Sequence, residues 1–241
     1  DVGCGAGEIG ARIATLAGAT DRTAVDCSGP ILRLAKERHA DATYLRIDAA
    51  RLPLRNQSYD LSLLIDVIEH QAQPEQVLRE LSRVCTRLLI RTPLENCWYE
   101  RLRRRHRDLF QESCGHVVYF DLASVRRMLT TNGFSICEES IRPIAWSHWK
   151  RVLTGDCPLH GKATAAARAL LRLVLPLAWY RRLFVVNYNA LCESTYRSQS
   201  AGPTVSGTAT SSPRTASVGQ LAELPVSSPA TGLAPKVTHG R

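Results

Sequence analysis

Aromatic residues make up only 6% of this chain, and methionine occurs once, at Met128. The opening residue is Asp1. A chain that starts without an initiator reads as processed or as a piece of a longer one, with a strand expected ahead of Asp1. The eight cysteines contain no C-x-x-C pair. Their scatter excludes a zinc ribbon and gives no disulfide framework, so free, mostly buried thiols in a reducing cytoplasm are expected. No apolar run reaches about 18 residues without a charge, which excludes a spanning helix of ordinary length. No secretory signal stands at the start, and no internal repeat is visible, so a solenoid is excluded.

What is present points to a packed domain. Hydrophobic residues make up 44% of the 241 positions, enough for a large core. The net charge is +9 and the isoelectric point is near 9.4. That balance favours anionic partners such as phosphates, acidic lipid surfaces or nucleic acid, without choosing among them.

The spacing predicts a helix over 7–18, with Ile9, Ile13 and Leu16 on one face. A short strand over 22–26 follows, then a helix opened by Pro30, and a strand over 42–47. Tyr59 to Ile65 is a nearly continuous apolar run, as a parallel strand covered on both faces requires. A helix starts at Pro74, and a strand over 87–90 is closed by Pro93. Further on come a helix over 121–132 stopped by Asn132-Gly133, and strands over 134–141 and 184–191. Alternating strands and helices predict an α/β fold, a doubly wound and mostly parallel sheet. Ligands of such sheets sit at the carboxyl ends of the strands. The acids Asp1, Asp26, Asp48 and Asp66 all fall there. Residues 197–241 are rich in Ser, Thr, Pro, Ala and Gly and lack periodicity, which predicts a disordered tail after a domain over 1–196.

The chain is organised around Asp1-Val2-Gly3-Cys4-Gly5-Ala6-Gly7-Glu8-Ile9-Gly10. Alternating glycines before a helix allow close approach of a nucleotide-like ligand to the helix N-terminus. The last six of these residues also read as G-x-G-x-x-G, the dinucleotide fingerprint. That reading accounts for the glycines and Asp26 alone, and no Tyr-x-x-x-Lys pair accompanies it.

The acid-x-Gly-x-Gly-x-Gly stretch resembles the first motif of class I S-adenosylmethionine-dependent methyltransferases. Asp26, nineteen residues after Gly7, resembles that family's ribose-binding acid. Asp48-Ala49 with Leu52-Pro53-Leu54 resembles its third motif, where the acid meets the adenine amino group. The run from Ser58 through Asp66-Val67-Ile68-Glu69-His70 resembles the fourth, and Gly115 to Phe120 with the helix after it also fits. The likeness is to the small-molecule group that includes the ubiquinone-pathway methyltransferases. It covers about 1–141, and 184–193 more weakly. It implies a Rossmann-like sheet with an antiparallel last strand, and S-adenosyl-L-methionine as cofactor. It assigns cofactor contacts to Asp1, Gly3, Gly5, Gly7, Asp26, Cys27, Asp48, Ala49, Asp66 and Val67. It also implies that the first, central strand of the sheet lies ahead of Asp1.

Methyl transfer needs a base only when the acceptor holds a proton. His70, at the end of the fourth strand of that family's sheet and beside Glu69, is the first candidate, and His116 is the second. Either could instead shape a loop. The arginines over 101–107 read as a solvated face or as a phosphate or lipid-headgroup clamp. Aromatic stacking partners are few there, Trp98 and Tyr99, so nucleic acid is not the expected partner. Cys157 and His160 with Cys114 and His116 lack zinc spacing, and no metal is expected. The insertion over 142–183 holds Trp146, Trp149, Trp179 and Tyr180. It reads as a packed helix, as a lid for a hydrophobic substrate, or as a surface touching a membrane. The expectation is thus a cytoplasmic methyltransferase with a small or lipid-like acceptor, with membrane association through 142–183 as one of the readings left open. A non-catalytic scaffold for an anionic partner and an NAD(P)-dependent oxidoreductase are the alternatives.

Overall fold

The computed structural model describes residues 1–97, 115–143, 171, 174–183 and 186–196. The elements are α1 (Glu8–Ala17), β1 (Thr23–Asp26), α2 (Gly29–Arg38), β2 (Thr43–Arg46), β3 (Tyr59–Ile65), a 3-10 turn (Ile68–His70), α3 (Pro74–Val84), β4 (Cys85–Leu94), α4 (Leu122–Thr131), β5 (Phe134–Pro143), α5 (Leu177–Leu183) and β6 (Val186–Ser194).

β1 and β2 pair in parallel, and a second group runs in the order β3-β4-β6-β5. β3 and β4 are parallel, while β6 is antiparallel to both of its neighbours. The two groups meet at Val2, which bridges in parallel to Val25 of β1 and Leu64 of β3. Its amide donates to Leu63 O at 2.9 Å, and Val25 donates to Asp1 O at 2.8 Å. The mixed, mostly parallel sheet with one antiparallel strand is the α/β arrangement expected from the sequence.

The main core lies on one face of the sheet. There α3 presents Val77, Leu78, Leu81 and Val84, and α4 presents Val125 and Leu129, against Leu64, Leu88, Ile90 and Tyr188. α4 is fixed by a capping box. Asp121 Oδ1 accepts from the Ser124 amide at 2.8 Å, and Ser124 Oγ accepts from the Asp121 amide at 2.9 Å. On the opposite face, Ile9 and Ile13 of α1 cover Leu63 and Leu89.

Three expectations are corrected here. Leu16 is 51% exposed, because the contact of α1 with the sheet ends at Ile13. β4 runs through Pro93 instead of stopping before it. Pairing with β3 ends at Arg91, so Pro93 has only Asn187 of β6 beside it and its missing N–H interrupts no ladder on the β3 side. β5 likewise carries on to Pro143, into the stretch assigned to the insertion.

Among the described residues, no helix is long and apolar enough to cross a membrane. Cys4, Cys85 and Cys192 are free and buried, Cys27 and Cys137 are free and exposed, and Cys97 is buried. Trp98, Tyr99, the arginines over 101–107, Cys114, Trp146, Trp149, Cys157, His160 and the tail over 197–241 lie outside the described residues. Of the aromatic cluster in the insertion, α5 shows Tyr180 buried and Trp179 exposed.

Candidate functional site

The site gathers at the carboxyl ends of β1, β3 and β4 and the loops that follow them. Val2 leads straight into the glycine loop, because Gly3 and Cys4 both donate to Val25 O, at 2.8 and 3.0 Å. Gly3 has φ +69°, and a Cβ there would come within 2.4 Å of Val67 Cγ2. The loop therefore packs directly on the segment after β3. Gly5 differs: at φ +52° it faces open space, with nothing within 4 Å of a Cβ position. One glycine is thus required by packing, while the other leaves its backbone open to a ligand. Gly7 caps α1.

Asp26 closes the loop from the β1 side. Its Oδ2 accepts from the Gly5 amide at 3.0 Å, and its Oδ1 accepts from the Ser28 amide at 2.9 Å. A carboxylate offers about four lone-pair sites, so acceptor capacity remains. Cys27 is exposed, and its carbonyl accepts from Arg46 Nε at 3.0 Å. Asp48 is exposed and forms a tight turn, its Oδ1 accepting from Ala50 N at 2.9 Å; Ala49 is half-buried. The Asp1 side chain lies against Gly10, where a Cβ would meet it.

Asp66 has φ +53°. Its carboxylate is gripped by the Arg91 guanidinium, with Nε at 3.0 and 3.1 Å from the two oxygens and Nη2 on Oδ2 as well. The Arg91 side chain is 5% exposed and that of Asp66 30%. The fork holds the unusual turn that carries Val67 under Gly3. Removing one partner of such a pair strands a buried charge. Asp66→Ala is expected to lower unfolding stability by about 2–3 kcal/mol, reduced from the fully buried case by the exposure of Asp66. Urea unfolding monitored by tryptophan fluorescence measures this; a change within experimental scatter would show that the fork does not hold the turn.

The two candidate histidines, far apart in sequence, come together. The rings of His70 and His116 meet edge to face, with centroids 4.6 Å apart. The segment carrying His116 hangs on Glu69, whose carbonyl accepts from Val117 N and Val118 N at 2.9 and 3.1 Å. His70 Nδ1 lies 3.1 Å from Gly115 O. A carbonyl only accepts, so Nδ1 carries the hydrogen and the neutral ring keeps its lone pair on Nε2. Desolvation of the ring lowers its pKa, and the neighbouring His116 adds to this. Burial alone would lower the pKa of His116 too, but its Nδ1 sits 2.8 Å from Glu95 Oε2, and Glu95, Glu69 and Asp66 together raise it. Glu69 is buried, 1% exposed, and Thr92 Oγ1 lies 3.1 Å from its Oε2. Burial, reinforced by the charge of Asp66, pushes its pKa up to about 8.

Thr92, Arg91 and Glu95 were not singled out by the sequence. Arg91 and Thr92 lie near the end of β4 and Glu95 just after it, on the same ligand edge, and nothing local in the sequence marks their partners. Donor atoms of Glu69, His70 and His116 lie within 4.8 Å of one another. The described grouping with ligand-like spacing is therefore this one. Of Cys157, His160, Cys114 and His116, whose spacing argued against a zinc site, only His116 is among the described residues.

Residues 1–87 match the model of a family described as a methyltransferase domain. No curated protein sequence matches the chain. Among solved structures, it is similar to a protein of Bacillus halodurans named as a methyltransferase, at 15% identity and a TM-score of 0.58, covering 81% of this chain and 90% of that one. It is similar also to a phosphoethanolamine N-methyltransferase of Haemonchus contortus, in complex with phosphomonomethylethanolamine and S-adenosylhomocysteine. There the identity is 17% and the TM-score 0.55, over 82% of this chain and 48% of that one. A third, SpnF, is a [4+2]-cyclase, at 15% identity and a TM-score of 0.54, over 80% and 73% of the two chains. The fold is the Rossmann-like fold of these solved methyltransferase structures, and residues 1–87 are similar to the methyltransferase domain family.

Proposed function

We propose that this chain, which matches a methyltransferase domain model over residues 1–87, moves the methyl group of S-adenosyl-L-methionine to a small or lipid-like acceptor. The observation that carries this reading is the opening above Gly5, bounded by the Asp26 carboxylate with acceptor capacity to spare. A ribose diol needs such an acceptor. Backbone around Asp1, Gly3, Gly5 and Gly7 would line the amino-acid end of the donor. Asp26 and Cys27 would take the ribose, Asp48 and Ala49 the adenine, and Val67 with the Asp66 turn would floor the pocket.

The donor brings the chemistry, a sulfonium carbon open to displacement. The chain must align the acceptor with that carbon, exclude water, and take a proton where the acceptor holds one. His70 Nε2 suits that last task, on a ring whose other nitrogen is fixed by Gly115 O. The charge of +9 favours an acceptor with an anionic group. Contact with a lipid surface through the insertion remains part of this proposal. SpnF shows that this fold also serves other reactions, so the site and not the fold supports the assignment.

Asp26→Ala is expected to weaken S-adenosylhomocysteine binding by about 1.5–3 kcal/mol, the worth of hydrogen bonds to a charged acceptor. Calorimetry on folded protein reads it directly, and unchanged affinity would remove Asp26 from the ribose site. In the same instrument, NAD binding in place of S-adenosylhomocysteine would favour hydride transfer. Cofactor binding without turnover of labelled donor in a cell extract would favour the scaffold reading.

A further inference from the structure

The stretch between β2 and β3, residues 47–58, has no helix of its own, yet it carries the Asp48–Ala49 turn. A long irregular segment needs partners for its backbone groups. They come from the last turn of α3. Arg83 Nη2 donates to Leu52 O at 2.7 Å, and Nη1 donates to Leu54 O at 2.7 Å and Asn56 Oδ1 at 2.8 Å. Glu80 Oε2 accepts from Leu52 N at 3.0 Å. The two side chains also grip each other, with Arg83 Nε on Glu80 Oε1 at 3.1 Å and Nη2 on Oε2 at 2.7 Å. Arg83 thereby holds the Glu80 carboxyl below the usual carboxylate range. Leu52, gripped at both its amide and its carbonyl, is 3% exposed in the core, where Ala49, Ala50 and Leu54 pack beside it. The Arg51 amide closes the turn back onto Asp48 O at 2.9 Å. The chain from clamp to Asp48 is thus short and has no free joint.

We infer that Glu80 and Arg83 are positioning residues that set the height of the Asp48–Ala49 turn and so determine recognition of the donor's adenine. This rests on the function proposed above. A single ammonium could not replace the fork, because three acceptors in different directions need a planar, multi-donor group. Neither residue belongs to the Asp48–Ala49 turn; both act on it through Leu52.

The test compares two ligands that differ at one position. S-adenosylhomocysteine carries the adenine amino group, and S-inosylhomocysteine carries an oxygen there. The wild-type chain is expected to prefer the first. In Arg83→Ala the preference should shrink by about tenfold, the worth of one good hydrogen bond, while affinity for the inosyl compound stays near its wild-type value. Arg83→Lys should restore little of it. Glu80→Gln, which keeps the side chain's size, should give a smaller loss of the same kind and serves where Arg83→Ala does not fold. Equal weakening for both ligands, or an unchanged preference in a folded variant, would overturn the inference. So would a wild-type chain that binds S-adenosylhomocysteine without preferring it. Absence of S-adenosylhomocysteine binding in the wild type would instead bring down the proposed function, and this inference with it.

Discussion

His70→Ala is expected to slow methyl transfer by about 10²–10⁴-fold, the usual contribution of a positioned general base. Affinity for S-adenosylhomocysteine should stay close to that of the wild type. The carbonyl of Gly115 takes the Nδ1 hydrogen of His70 and so leaves Nε2 as the basic nitrogen. Desolvation and then His116 lower the pKa, so the neutral, basic form dominates at neutral pH. The rate should therefore rise with pH below the ordinary histidine range and be level by neutrality. His70→Ala should flatten that rise as well as lower the plateau. Rates measured against pH with saturating donor test both parts. Full activity in the variant would mean that the acceptor arrives without a proton to lose, and that His70 only shapes the loop.

Most of the fold could be read from the sequence because its strongest signals are local. The apolar run Tyr59–Ile65 appears as a strand with the same bounds, and Pro74 opens α3. Asn132-Gly133 ends α4 where the sequence places the stop. The misjudged places are those where tertiary context decides. Pro93 is a breaker by composition, but its position beyond the β3 pairing removes the penalty. Leu16 fits the helical stripe, but the sheet ends before it does.

The candidate site divides in the same way. The glycines and Asp26 belong to one short motif and were legible; the structure adds that Gly3 is demanded by Val67 while Gly5 faces open space. His70 and His116 were legible as residue types at the ligand edge, but nothing local says that their rings meet edge to face, since forty-odd residues separate them. Glu95 and Arg91 could not be read out. Each is defined by its partner, His116 and Asp66, and a partner is a property of the fold.

The stability of the folded chain is expected to fall as pH rises from about 5 to about 8, and Glu69→Gln should remove most of that fall. Glu69 is buried beside Asp66, and its pKa stands at about 8 instead of 4.5. Between those values the native state holds a proton that the unfolded chain has released. Stability then decreases with pH, because the native state binds more protons. His116 is shifted the same way by Glu95, so it adds to the fall. His70 is shifted down, so it gives an opposite and smaller trend confined to the acidic side of the histidine range. The Glu69 contribution alone is on the order of 3–5 kcal/mol, from the worth of a pKa unit. Glutamine keeps the shape and the contact to Thr92 but has no charge to bury. Its urea midpoint should be nearly level with pH and should exceed that of the wild type at pH near 8. A wild-type curve that rises with pH, or one that the glutamine variant reproduces, would show that Glu69 is ionised in the fold. An ionised Glu69 would place a second negative charge beside Asp66 and close to His116, whose pKa such a charge raises.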